Sequence, residues 1–220
     1  MQQRIALVAG SLCALLATAS HAASISYFLD QTNVDAGSLT DGTNYAQLTI
    51  DDDTPGTLHF TVTLLGPLTS IGQSGFGIQD FSFNVIGTNP LQDSADQPSQ
   101  YTLPSGWSAF VFPPPNQSDG FGRFDVQVGA SGSGERASPL SFYLNNTSLT
   151  LASFAELSTN NAGQGNVFFS AHIAGFDGPG SIDSGYFGGS TPAPVPLPAA
   201  LPLLLSGLSG LLVMLRRRLT

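Results

Sequence analysis

Alternation of apolar and polar residues with a period of two is the feature that most constrains how this chain can fold. From Thr57 to Leu64, every second side chain is apolar and the intervening residues are Thr or His. The alternation recurs with apolar residues at Phe81, Phe83 and Val85, at Phe124, Val126 and Val128, at Leu140, Phe142 and Leu144, and at Val167, Phe169, Ala171 and Ile173. Because successive side chains of a strand point to opposite faces, these segments predict strands with one buried face.

The segments between the predicted strands are rich in residues that form turns. Gly, Pro, Asn, Asp and Ser are frequent in the connections at residues 51–56 and 89–100. Residues 149–157 are ambiguous, since their pattern fits either a strand or a short helix. Short strands at turn-punctuated spacing predict an all-β fold, namely a single antiparallel β-sandwich or jelly-roll-like domain over residues 23–190.

The first 22 residues have the pattern of a secretory signal peptide. Arg4 is their only charged residue, an apolar run extends from Ile5 to Ala19, and Ser20-His21-Ala22 is a small-x-small site that predicts cleavage after Ala22. The short apolar run weighs against the alternative of an N-terminal membrane anchor. Cys13 lies inside this segment, so the exported domain has no cysteine and forms no disulfide. We expect the Sec machinery and signal peptidase to process the chain.

The C-terminal residues 191–220 consist of three parts in a fixed order. Prolines alternate with other residues over positions 191–198, which predicts an extended spacer. Residues 199–215 carry no charge and would span roughly 25 Å as a helix, against about 30 Å for the hydrocarbon core of a bilayer. Arg216, Arg217 and Arg218 follow, and the positive-inside rule places them in the cytoplasm. Residues 199–220 therefore predict a transmembrane helix with an Arg-rich end, which holds the domain outside.

This tail resembles the PEP-CTERM sorting signal of exported proteins of Gram-negative bacteria. The residues that match its motif are Val195, Pro196, Leu197, Pro198 and Ala199, followed by the apolar segment and the arginines. The family signature has Glu between the prolines, whereas this chain has Leu197, so the tail is a VPLP-type variant. The resemblance implies cleavage by an exosortase-like enzyme after transient anchoring in the inner membrane. It also implies a final location in the cell envelope, at the outer surface, or outside the cell.

The predicted exported domain is strongly acidic. Between residues 23 and 190 it has fifteen carboxylates but only two basic residues, Arg123 and Arg136, which gives a net charge of −13. A field of this sign repels nucleic acid and anionic membrane surfaces. It is compatible with divalent cations, neutral sugars or a hydrated matrix. We therefore expect no nucleic-acid partner.

Two features of the predicted domain are candidate binding sites. Asp51, Asp52 and Asp53 place three carboxylates in one turn, and hard oxygen ligands of this kind suit Ca²⁺. The alternative is that these are solvated turn residues. Trp107, the only tryptophan, can either stack on a sugar ring or fill the core.

No set of catalytic residues stands out. His59 and His172 fall opposite the apolar positions of their strands, so we expect both on polar faces, and the chain has no G-x-S-x-G elbow. We therefore predict a non-enzymatic cell-envelope or extracellular-matrix protein associated with exopolysaccharide. The alternative is a glycan-active enzyme or a Ca²⁺-dependent carbohydrate-binding module. An exposed aromatic platform on one sheet face would favour sugar binding, and two convergent carboxylates in a cleft would favour an enzyme.

Overall fold

The computed structural model describes residues 23–34, 37–145, 148–160 and 163–193, without the side chain of Asp53. The predicted signal peptide, the sorting motif from Val195 to Ala199 and the arginines Arg216 to Arg218 lie outside the described residues. Within the described ranges, no helix is long and apolar enough to cross a membrane.

Two six-stranded antiparallel sheets form the described part of the chain. The strands are β1 Ser24–Leu29, β2 Gln31–Thr32, β3 Ala46–Thr54, β4 Thr57–Leu64, β5 Gly72–Phe83, β6 Tyr101–Thr102, β7 Trp107–Ser118, β8 Gly122–Ala130, β9 Leu140–Leu144, β10 Phe169–Phe176, β11 Ser184–Gly189 and β12 Thr191–Pro192. Sheet A has the order β12-β1-β3-β4-β9-β6, and sheet B has the order β2-β11-β10-β5-β8-β7. The predicted all-β, antiparallel class is confirmed.

Helical structure within the described residues is limited to short turns. The α-helix α1 spans Gly66–Thr69, and 3-10 helices span Pro98–Gln100, Ser133–Glu135, Leu151–Phe154 and Pro179–Ser181. The ambiguous segment 149–157 therefore contains a short helix and no strand. Thr150 and Ser153 form a capping box at its start, and Phe154 is fully buried at its end.

The apolar residues of the alternating segments form the core between the two sheets. On β4, Leu58, Phe60, Val62 and Leu64 are all buried, and the residues between them are not. Rings from the two sheets meet across the core: the centroid of Phe60 lies 5.5 Å from that of Phe83, and the centroid of Phe142 lies 6.3 Å from that of Phe81. This face-to-face packing of two antiparallel sheets is consistent with a β-sandwich.

Two apolar residues of the predicted strands lie beyond the strand ends. β5 ends at Phe83 and β10 begins at Phe169, yet Val85 and Val167 are both buried. Val167 belongs to a separate apolar cluster with Phe121 and Phe124. Its N–H donates to the hydroxyl of Ser158, which in turn donates to the carbonyl of Phe121. The period-two pattern therefore predicted the burial of Val167 correctly but placed it in a strand wrongly. The backbone N–H of Val167 bonds to the hydroxyl of Ser158, a loop residue, and not to a neighbouring strand.

The first and last described strands are neighbours at one edge of sheet A. Phe28 lies opposite Thr191, and the N–H of Ala193 donates to the carbonyl of Ser26 at 2.8 Å. The sheet thus continues past the domain boundary predicted at residue 190, and Pro192 is tolerated because it lies in an edge strand. The chain crosses from sheet B to sheet A at Gly189, where a Cβ would overlap the carbonyl oxygen of Phe28.

Candidate functional site

The first candidate is a pair of aromatic rings on the outward side of β7, an edge strand of sheet B. Trp107 and Ala109 are buried in the core, so the strand period directs Phe110 and Phe112 outward. The two ring centroids lie 6.2 Å apart at an interplanar angle of 30°, and Phe110 is 42% exposed. We call these two rings the Phe110–Phe112 surface. Neighbouring apolar side chains on a surface are more typical of an interaction site than a single exposed apolar residue is.

The free edge of β7 is closed to pairing with another strand. The N–H of Ala109 donates to the hydroxyl of Ser94 at 2.9 Å, and its carbonyl accepts from the N–H of Ser94. The N–H of Val111 donates to a carboxylate oxygen of Asp93. Residues 113–115 are all proline and have no N–H to offer. Such features prevent strand addition, so the Phe110–Phe112 surface offers apolar side chains and not backbone hydrogen bonds.

A row of polar side chains extends from this surface across sheet B. Phe110 lies opposite Gln127 on β8, Gln127 lies opposite Ser82 on β5, and Ser82 lies opposite Ser170 on β10. At the usual strand spacing, the row is about 14 Å long. It begins exposed at Phe110 and ends buried at Ser82 and Ser170. The Gln127 amide is therefore the polar group nearest in register to the exposed ring.

The second candidate is a polar cluster in the next row of the same outward face. Asp80 on β5, His172 on β10 and Tyr186 on β11 lie opposite one another in register. Nδ1 of His172 is 3.5 Å from Oδ2 of Asp80, and the His172 ring stacks on Tyr186 with centroids 4.6 Å apart. The exposed fractions are 25% for the His172 side chain and 14% for Asp80. We call these three residues the His172 cluster.

The surroundings of the His172 cluster strengthen its electrostatic interactions. Burial, followed by the charges of Asp80 and Asp119, raises the pKa of Tyr186 to about 12. Asp119 accepts a hydrogen bond from the Asn33 side-chain amide at 3.1 Å, and the Asn33 side-chain oxygen accepts from the N–H of Tyr186 at 2.8 Å. Tyr186 therefore keeps its proton at neutral pH and remains a hydrogen-bond donor.

Two buried polar atoms beside this cluster have no hydrogen-bond partner among the described residues. They are Oδ1 of Asp80 and Oγ of Ser170, on adjacent strands and on the same outward face. Buried polar groups are hydrogen-bonded in most folded proteins. Both histidines lie on polar faces, as predicted, and His172 belongs to a charged cluster that the sequence did not reveal.

Trp107 lies in the core, which was one of its two predicted alternatives. The residue is 7% exposed, and its Nε1 donates to the carbonyl of Glu135 at 2.7 Å. The outward aromatic residues of the same strand are the exposed Phe110 and the half-buried Phe112, which sequence reasoning missed. Their position follows from the period of two once Trp107 is known to face inward.

The prediction that the three aspartates lie in a turn is wrong, because they belong to the end of strand β3, which continues to Thr54, and only Pro55 and Gly56 form the turn. Asp51 is opposite Ser24 and His59 in register, and Oδ1 of Asp52 accepts from the N–H of Ala23 at 2.6 Å. A pocket of about 280 Å³ adjoins the turn, lined by Asp52, Thr54 to Leu58, Leu149 and Thr150. The described residues contain no group of three His, Cys, Asp or Glu side chains able to hold a metal ion. Because the Asp53 side chain is not among them, the Ca²⁺ site remains a prediction.

No protein-family model, curated protein or solved structure matches this chain. The PEP-CTERM resemblance of the tail therefore remains a prediction from the residues that carry it.

Proposed function

We propose that this chain is an exported, non-enzymatic protein of the cell envelope or extracellular matrix whose domain binds exopolysaccharide at the Phe110–Phe112 surface. The observation that carries the proposal is the pair of outward rings on one sheet face, with the Gln127 amide beside them. Aromatic side chains offer a large apolar face, and a nearby amide can bond to sugar hydroxyls. The acidic charge of the domain supports a neutral glycan as the ligand and argues against nucleic acid.

In this proposal, the two ends of the chain direct its export and its anchoring in the membrane. The Sec machinery and signal peptidase deliver a jelly-roll-like domain to the outside, and residues 199–220 anchor it in the inner membrane. An exosortase-like enzyme then cuts near Val195 to Ala199. The last described contact to sheet A is made by Ala193, so the motif follows the folded domain directly. Intact-mass measurement on protein from the native host should show a species that ends before Leu201, whereas a host without exosortase should retain the full chain in its membranes.

Binding of glycan by the purified protein tests the function. The double variant Phe110→Ala, Phe112→Ala should weaken binding to the host exopolysaccharide by about tenfold, or about 1.4 kcal/mol, because aromatic residues at binding surfaces contribute at least this much. The matched control is Tyr143→Ala, which removes an aromatic side chain of similar exposure, 38%, from sheet A. Equal binding by the wild-type protein and the double variant would contradict the proposal.

A second candidate function is supported by the His172 cluster. A carboxylate 3.5 Å from Nδ1 of a histidine can orient the ring, so that the other ring nitrogen serves as an acid or base. The negative charge of Asp119 also raises the pKa of Tyr186, so the cluster brings several titratable groups together. In this second function, the domain is an enzyme that acts on the glycan. Release of reducing ends from the host exopolysaccharide, abolished by Asp80→Asn, would favour this function over simple binding.

A further inference from the structure

Asp52 lies against the backbone nitrogen of the residue that follows the predicted signal-peptide cleavage site. Its Oδ1 accepts a hydrogen bond from the N–H of Ala23 at 2.6 Å. In return, the N–H of Asp52 donates to the carbonyl of Ala23 at 3.1 Å. The two hydrogen bonds thus fix both the backbone N–H and the carbonyl of Ala23. The nitrogen that cleavage after Ala22 would release therefore already lies beside a carboxylate.

The position of this nitrogen is fixed by sheet A. β1 begins at Ser24, one residue after Ala23, and its register with β3 is continuous from Ser24 opposite Asp51 to Leu29 opposite Ala46. There is thus no free segment between the predicted cleavage site and the sheet. A terminus held in this way loses little further conformational entropy when it makes an ion pair.

The end of strand β3 that holds Ala23 is rich in negative charge. Asp51, Asp52 and Asp53 follow one another in sequence, and His59 on β4 lies opposite Asp51. The two arginines of the exported domain belong to the other sheet, since Arg123 is on β8 and Arg136 donates to Gln79 of β5. Carboxylates on consecutive residues of a strand end repel each other unless a cation offsets them. A positive chain terminus at Ala23 would supply that cation.

We propose that Asp52 binds the α-ammonium group that signal peptidase creates at Ala23, so that the acidic end of β3 fastens the mature N-terminus to sheet A. This rests on the export step of the proposed function. Hydrolysis of the Ala22–Ala23 bond adds the hydroxyl of water to the Ala22 carbonyl carbon and the remaining hydrogen to the Ala23 nitrogen. The amine then takes a proton from solvent, since α-amino groups have a pKa of about 7.7–8.0. A neutral amide donor becomes a charged one, which forms a stronger hydrogen bond with a carboxylate.

The composition of the chain makes this terminus selectively measurable. The sequence has no lysine, so the mature N-terminus is the only primary amine. Its pKa can be read from the rate of acetylation at a series of pH values, with the N-terminal peptide followed by mass spectrometry. The material is the processed protein from the native host, and N-terminal sequencing first shows whether it begins at Ala23.

Asp52→Asn tests the contact, and Asp41→Asn is its matched control. Asp41 also accepts a hydrogen bond from a backbone N–H, that of Thr32 at 2.9 Å, so both variants remove one charge and weaken one contact of the same kind. The wild-type protein and Asp41→Asn should be acetylated about threefold more slowly than Asp52→Asn at pH 7, which corresponds to a rise of about half a pKa unit at an exposed ion pair. Insertion of one alanine after Ala22 should accelerate labelling as Asp52→Asn does, because it moves the ammonium away.

The outcomes separate this proposal from the glycan-binding function. Equal labelling rates for all of these proteins would overturn the ammonium contact, as would acceleration of the same size by Asp41→Asn. A mature chain that begins at a residue other than Ala23 would overturn both the cleavage position and the proposal. None of these results would bear on the Phe110–Phe112 surface, whose glycan binding is measured separately.

Discussion

The two sheets carry the same local arrangement on their outward faces, a histidine stacked on a cross-strand tyrosine. On sheet A, the ring of His59 stacks on Tyr143 with centroids 4.2 Å apart and an angle of 11°. On sheet B, His172 stacks on Tyr186 at 4.6 Å and 13°. Such cross-strand pairs form where two flat side chains lie opposite each other on adjacent antiparallel strands. Geometry within the pairs therefore does not distinguish them.

The neighbours of the two pairs differ in polarity and burial. His59 has hydroxyl partners, with its Nε2 2.8 Å from the Ser141 hydroxyl, and the Tyr143 ring that it stacks on is exposed to solvent. The His172 pair has a carboxylate beside it, and Tyr186 packs against the separate apolar cluster of Phe121, Phe124 and Val167. Partial exclusion of water lowers the local dielectric constant, so each charge interacts more strongly with its neighbours. The comparison shows that the covering loops, and not the His–Tyr pair itself, make sheet B the chemically distinctive face.

The largest expected difference between the two pairs is in stability. Tyr186→Ala should lower the free energy of unfolding by about 2 to 3 kcal/mol, because it removes a partly buried ring from the apolar cluster. Tyr143→Ala should cost less than about 1 kcal/mol, because its ring is largely in water. Urea unfolding of both variants measures this. Equal losses of unfolding free energy in the two variants would mean that the contact between Tyr186 and the apolar cluster contributes little to stability.

An intermediate effect is expected in alkaline solution. The folded state raises the pKa of Tyr186 from 10 to about 12, so it binds the phenolic proton more tightly than the unfolded chain does. The resulting stability is complete below pH 10 and is lost as the pH rises through 12. Tyr186→Phe removes this loss, which we expect to be about 1 kcal/mol after solvent screening of a half-buried group is taken into account.

Unfolding of both proteins at pH 8 and pH 11.5 provides the measurement. Burial also raises the pKa of Tyr27 and Tyr101, but these contributions are present in both proteins and cancel in the difference. A wild-type protein that lost no more stability than Tyr186→Phe over this range would contradict the assignment of a protected phenol to sheet B.

The smallest effect should come from the partner of His59. Ser141→Ala removes the hydroxyl that lies 2.8 Å from Nε2 of His59, at a site that water can reach. Because water replaces the lost hydrogen bond, we expect a change within about 0.5 kcal/mol in the free energy of unfolding. A cost above 1.5 kcal/mol would show that the pair on sheet A is held as firmly as its counterpart.

The sequence by itself determined which residues are buried in most strands. The alternation on β4, β8 and β9 assigned Leu58, Val126 and Phe142 to the core and His59 to a polar face, because the side-chain direction of a strand is a local property with a period of two. The tail and the cleavage site were also predicted from local patterns, and both stay predictions because residues 1–22 and 194–220 lie outside the described part of the chain.

The tertiary structure decided what meets on the outward faces. Asp80 and His172 lie far apart in the chain, and they face each other only because the register between β5 and β10 places them opposite each other. Strand β7 shows a second reason. Trp107, Ala109 and Val111 alternate with Ser108, Phe110 and Phe112, so both parities contain large apolar residues and the period of two cannot choose between them. Packing against sheet A makes that choice, because burying the face of Trp107 fills the core and leaves Phe110 exposed to solvent.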